Sequence, residues 1–114
     1  MHELSIALSL VDLAQEEAGR HAGRVCAVHL RVGALAGVVP AALVASYEMA
    51  SFQTPLEGSR LVIEEVPVVV FCPCCQAQRP LDSVQSFSCP ECGTPTPQVD
   101  HGRELELVAL EMET

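Results

Sequence analysis

Four cysteines form two short pairs, Cys72-x-x-Cys75 and Cys89-x-x-Cys92, separated by thirteen residues within CPCCQAQRPLDSVQSFSCPECG. Each pair curls its backbone so that two thiolates converge, and two such pairs make a tetrahedral four-sulfur site for one zinc ion, with bonds of about 2.3 Å. The second pair, CPECG, has the proline and glycine of a tight knuckle, whereas the first, CPCCQ, carries Gln76 where a glycine would ease the turn. Cys74 competes with Cys75 for the ligand position; the match of Cys-Pro-x-Cys to the second knuckle favours Cys75 and leaves Cys74 as a spare thiol. Disulfides or a dithiol redox pair are the alternatives, but neither pair opens a helix behind a strand, where a redox thiolate would be stabilised. Four thiolates leave no open position for water, so Zn(II) here is structural. The large apolar residues of this segment are Leu81, Val84 and Phe87, so metal binding is expected to supply most of its folding free energy, about 10 kcal/mol or more.

A second metal chemistry is available at the amino end, Met1-His2-Glu3. Removal of an initiator methionine generally needs a small second residue, and His2 is large, so Met1 is expected to stay and present a free α-amine. That amine, the His2 amide nitrogen and the His2 imidazole can close fused chelate rings in one plane. The fourth position falls to the Glu3 amide or carboxylate, or to another part of the chain. Planar nitrogen and oxygen ligation suits Ni(II) or Cu(II) and not zinc or magnesium. The bland alternative is a solvated histidine beside a glutamate that simply favours a helix start.

The elements that must position these residues are legible in the hydrophobic pattern. Leu4, Ala7, Leu8, Val11, Ala14 and Ala18 recur at helical spacing, Leu10 and Leu13 widen the stripe, and Gly19 is placed to end it. In VCAVHLRVG, Cys26, Val28, Leu30 and Val32 alternate with Ala27, His29 and Arg31, which predicts a strand closed by Gly33. Pro40 suits the first turn of a second helix whose apolar side is Leu43, Tyr47 and Ala50, ending near Ser51. RLVIEEVPVVVF reads as a strand in which Pro67 demands an edge, a bulge or a hinge. RELELVALEME reads as a closing strand that slips phase near Val108. The order helix, strand, helix, strand, insert, strand predicts an α+β fold: two helices packed on a small three-stranded sheet, with an inserted zinc-ribbon subdomain. Residues 1–70 plus 101–114 would form the main domain and 71–100 the insert. The Pro67 hinge also allows segment exchange between two copies, a homodimer.

The chain has 114 residues, 15 Asp plus Glu, six Arg and no Lys, for a formal charge of −9. Such a charge repels nucleic acid and anionic membranes. The longest stretch free of polar side chains, Val32 to Ala45, is broken by Gly and Pro and too short to span a bilayer. With no signal-peptide pattern at the amino end, a soluble cytoplasmic protein is expected. In that reducing compartment six cysteines favour metal ligation over structural disulfides.

Other chemically able residues have plainer readings. His29 falls on the polar phase of its strand, His21 suits the carbonyl end of the first helix, and His101 sits in a turn. Cys26 falls on the buried phase as a small core residue. Glu64 and Glu65 are adjacent in a strand and point to opposite faces. No nucleophile with a base and an orienting group can be assembled, so the chain is not expected to be an enzyme.

Taken in order, MHELSIA, VGALAGVVP, LEGSRLVIEEVP, the two Cys-x-x-Cys pairs and the closing strand resemble the HypA/HybF family of hydrogenase maturation proteins over essentially the whole chain. The resemblance implies a nickel metallochaperone: Met1, His2 and Glu3 as the Ni(II) site, and Cys72, Cys75, Cys89 and Cys92 as the Zn(II) site. It further implies delivery of nickel to the large subunit of a NiFe-hydrogenase, in cooperation with a HypB-type nickel GTPase. Cys74 and an alanine-rich second helix depart from the family pattern. The rival reading is a zinc-ribbon protein-interaction or nucleic-acid-binding module without a nickel role.

Overall fold

The computed structural model describes residues 2–82 and 86–114. Met1 and Val84, both invoked above, lie outside the described residues. The chain divides into two compact units. One comprises Met1–Arg31, Gly37–Glu64 and Glu106–Thr114; the other comprises Val32–Ala36 and Glu65–Leu105.

The elements follow one another as α1 (Glu3–Ala18), β1 (Arg24–Gly33), α2 (Pro40–Ser51), β2 (Arg60–Val66), β3 (Val69–Cys72), β4 (Ala77–Pro80), β5 (Val99–His101) and β6 (Leu105–Glu113). They form two three-stranded sheets, ordered β2-β1-β6 and β4-β3-β5. The class is α+β, as the pattern predicts, with the ribbon contributing a sheet of its own.

In the first unit α1 packs against α2. The buried stripe of α1 is Ala7, Leu10, Val11 and Ala14, a narrow set at spacings of three and four. Leu4, Leu8 and Leu13, expected in the stripe, are instead 42%, 50% and 54% exposed. Periodicity alone does not say which arc of a leucine-rich helix meets its neighbour. Gly19 caps α1 as expected, but with φ −63 it does not use the left-handed conformation available to glycine. Pro40 opens α2, and Leu43, Tyr47 and Ala50 are buried as predicted. The Tyr47 hydroxyl lies 2.6 Å from the Ser59 hydroxyl, which satisfies the polar end of a ring that is otherwise in the core.

Strand β1 is central in its sheet, and Val25, Ala27, Val28 and Leu30 are all buried. The expected two-faced alternation therefore fails at Ala27, and Cys26 is only half-buried, its Sγ 3.3 Å from the Glu111 carbonyl. A strand flanked on both edges has less open surface on either phase than a peripheral one. Charged side chains stitch it to its neighbours: Arg31 donates to Glu64 at 2.8 Å and to Glu106 at 3.3 Å, while His29 Nε2 lies 2.7 Å from Glu111. In β6 the half-buried residues are Leu107, Leu110 and Met112, so the inward phase changes after Leu107, near the predicted slip.

The run RLVIEEVPVVVF is two strands and not one. Pro67 lies between β2 and β3, which belong to different sheets. Within the second unit β3 pairs antiparallel with β4 in the register Val70 opposite Arg79 and Cys72 opposite Ala77, and with β5 through Val70 opposite Val99. Here the backbones at Gly33 and Gly102 come so close that a Cβ on Gly33 would lie 2.1 Å from the Gly102 oxygen. Hydrogen bonds from Gly33 N to Glu104 O (2.7 Å) and from Leu35 N to Gly102 O (2.6 Å) lock this approach.

Candidate metal centre

The hairpin β3–β4 brings the first knuckle into position: Cys72 ends β3, and the chain turns through Cys75 and Gln76 into β4. The second knuckle, Cys89 to Gly93, is steadied by hydrogen bonds from Cys89 N to Thr94 O and from Thr96 N to Phe87 O. The two turns are built alike. Gln76 N donates to Cys72 O and Gly93 N donates to Cys89 O, each at 2.8 Å. Both turns need positive φ at that position, and Gly93 (φ 77) adopts it freely while Gln76 (φ 53) adopts it against its own Cβ. Gln76→Gly should therefore stabilise the metal-loaded protein by about 1 kcal/mol. Urea denaturation checks this: an unchanged midpoint would mean that the first knuckle carries no such strain.

The sulfur atoms of Cys72, Cys75, Cys89 and Cys92 all lie within 4.8 Å of one another. Cys74 is exposed and stands outside this group. Separations of 3.6 Å (Cys72 to Cys92), 3.6 Å (Cys75 to Cys92) and 4.0 Å (Cys75 to Cys89) are too long for disulfides. They bracket the edge of a tetrahedron whose centre is about 2.3 Å from each sulfur, roughly 3.8 Å. The donor set thus fits a tetrahedral thiophilic cation. Its electrostatics point the same way. The hydroxyl and N–H of Thr94 bring the Cys92 thiol down to about 6. Cys75 is pulled down by Arg79 but pushed up more strongly by its sulfur neighbours, Cys92 and Cys72, and stands at about 12. Four sulfurs this close do not all ionise unaided, and a divalent cation removes that conflict.

Two supporting residues, Arg79 and Thr94, escape motif reading. Arg79 belongs to a four-residue strand, too short for its alternation to be noticed, and its direction depends on register with β3.

At the amino end, His2 is the N-cap of α1, extended (φ −88, ψ 99), exposed, and without a side-chain capping hydrogen bond. Its carbonyl accepts from Ile6 N at 3.2 Å. Glu3 is half-buried and is not purely a solvated helix start: its Oε2 accepts from the N–H of Val39, the N-cap of α2, at 3.3 Å. That hydrogen bond, together with the Glu3 N–H, holds the carboxyl below the usual range. The other histidines face carboxylates: His21 with Glu17 at 3.5 Å, His29 with Glu111 at 2.7 Å, His101 with Glu104 at 3.3 Å. The four cysteines and the His2-Glu3 pair belong to different units.

A family profile described as hydrogenase/urease nickel incorporation, metallochaperone, hypA matches residues 1–112. A hydrogenase maturation factor HypA of Chloroflexus aurantiacus is 58% identical over 97% of this chain and 98% of its own length. One from Deinococcus radiodurans is 45% identical over 94% and 89% respectively. The fold is also that of the solution structure of the Ni metallochaperone HypA from Helicobacter pylori, with a TM-score of 0.69 over 98% of this chain and 97% of that one at 24% identity. A profile match over nearly every residue, together with relatives this similar over most of their length, leaves one assignment: the chain belongs to the HypA family of nickel-incorporation metallochaperones.

Proposed function

We propose that this protein binds Ni(II) through Met1, His2 and Glu3 and helps deliver it to the large subunit of a NiFe-hydrogenase, working in the cytoplasm with a HypB-type nickel GTPase. The observation that carries the reading is the state of His2. Among the described residues it is the one histidine not facing a glutamate, and its imidazole caps nothing. It stands exposed where an α-amine, an amide and an imidazole form a chelating set suited to planar Ni(II). Glu3 uses one carboxylate oxygen on Val39 N–H and keeps the other for an incoming cation. Among the described residues no helix is long and apolar enough to cross a membrane.

In the same reading Cys72, Cys75, Cys89 and Cys92 hold Zn(II), which when bound supplies structural cross-linking of the two knuckles and no open coordination position for chemistry. Nickel handling then belongs to residues 1–70 with 101–114, and 71–100 shapes a docking surface.

Calorimetry with Ni(II) on untagged, zinc-loaded protein tests the proposal. His2→Ala, and separately one glycine inserted after Met1, should each abolish one equivalent of nickel while zinc stays in place. Nickel binding that survives both changes would overturn the terminal site.

A further inference from the structure

Helix α2 begins without a cap of its own. Its N-cap, Val39, is extended (φ −90, ψ 112) and makes no side-chain capping hydrogen bond, its first position is Pro40, and no acidic residue lies in its first turn. A helix start is normally closed by Asp, Asn, Ser or Thr at the N-cap, or by a Glu or Gln at the third helical position that reaches back to the N-cap N–H. Val39 and Ala42 stand at those two places, and neither side chain carries an acceptor. The missing acceptor comes from the other helix: Glu3, 36 residues earlier, takes the Val39 N–H on its Oε2 at 3.3 Å. A carboxylate there also meets the positive end of the α2 dipole. Among the described residues no arginine or histidine lies within ion-pair distance of Glu3, so its carboxylate is committed to a backbone donor. Glu3 is the first residue of α1 and follows His2 directly. This one bond therefore fastens the amino end to the start of α2, one residue from the exposed imidazole.

We propose that Glu3 is the positioning residue of the nickel terminus: its carboxylate, seated on the Val39 N–H, docks the amino end onto α2 and thereby raises nickel affinity. The proposal rests on the nickel reading of Met1-His2-Glu3. The first residues of a chain are poorly ordered unless something ties them down. An α-amine, an amide and an imidazole must be ordered to close around one ion, and order already present in the free protein does not have to be imposed on binding. The anchor works by hydrogen-bond acceptance at the oxygen already engaged, so the neutral amide oxygen of a glutamine, on a side chain of the same length, can replace it. Docking is also distinct from capping, because α2 can be capped locally without fastening anything to it.

The test uses the full, untagged, zinc-loaded chain as wild type, Glu3→Ala, Glu3→Gln, and a double variant that joins Glu3→Ala to Ala42→Gln, which gives α2 a local cap but leaves the amino end untied. Calorimetry with Ni(II) reads the affinity, and NMR hydrogen exchange at the Val39 amide reads the anchor. Glu3→Ala should weaken nickel binding about tenfold and speed exchange at Val39. Glu3→Gln should recover a large part of both. The double variant should recover slow exchange at Val39 while nickel binding stays weak. Wild-type nickel affinity or unchanged Val39 exchange in Glu3→Ala would overturn the proposal. A Glu3→Gln variant as weak as Glu3→Ala would overturn it too, since the carboxylate would then act by its charge. So would full recovery of nickel affinity in the double variant, because Glu3 would then serve only to stabilise α2. A nickel equivalent that survives His2→Ala would refute the terminal site and this proposal with it, an outcome distinct from the others.

Discussion

Cys72→Ser combined with Cys89→Ser should eliminate metal binding at the four-cysteine centre and unfold the 65–105 unit while the helices persist. The two cysteines come from different knuckles and are 0% and 3% exposed, so the double change removes one sulfur from each half of the site. Besides the buried sulfurs, the main apolar anchors of β3 and its approach are Val68 and Val70, worth about 1.5–3 kcal/mol each. Metal binding at a structural four-cysteine site contributes about 10 kcal/mol or more at neutral pH, so the ion dominates. Chelation of metal from the wild-type protein should have the same effect. The first unit has its own core, including Leu10, Val11, Val28, Leu43 and Tyr47. Helical circular dichroism should therefore survive, while amide dispersion at Val70, Phe71 and Thr96 collapses in NMR spectra. A proportional loss of helix signal would show that the two units fold as one.

Gly33→Ala should destabilise the protein by about 3 kcal/mol or more, placing it among the severe single substitutions. A Cβ there would lie 2.1 Å from Gly102 O, 2.2 Å from Gly102 C and 2.6 Å from Arg103 N. All three are backbone atoms, so no side-chain rotation relieves the clash. Separating the chains would break the hydrogen bonds of Gly33 N to Glu104 O and Leu35 N to Gly102 O. Gly102 cannot easily retreat, because its own φ is +126 and even a Cβ built on it would lie 3.1 Å from the Val68 Cα. Gly37→Ala is the internal comparison: φ is +74, but nothing lies within 4 Å, so only the left-handed backbone penalty of about 1 kcal/mol applies. Denaturant midpoints of the two variants measure the difference. Similar losses would show that the Gly33 contact gives way cheaply.

These two cases mark what each level of description could reach. The cysteine pairs were legible because metal ligation is local chemistry: two residues between thiols is a distance set by one turn. The stripe of α2 was legible because Pro40, Leu43, Tyr47 and Ala50 leave one arc to bury. In α1 leucines occupy too many arcs, and tertiary packing buries Leu10 while leaving Leu4, Leu8 and Leu13 exposed. Strands β4 and β5, of four and three residues, are shorter than the alternation needed to detect them. Their loss from view also hid Arg79, whose inward direction exists only once β4 is paired with β3.

By itself, then, the sequence determined the donor types, their spacing, the α+β class and the family, because each of these rests on neighbours along the chain. Tertiary structure alone decided that Gly33 is a contact glycine and Gly37 a turn glycine. It also decided that Glu3 reaches Val39. Those facts depend on which backbones approach across long separations, and no local periodicity encodes that distance.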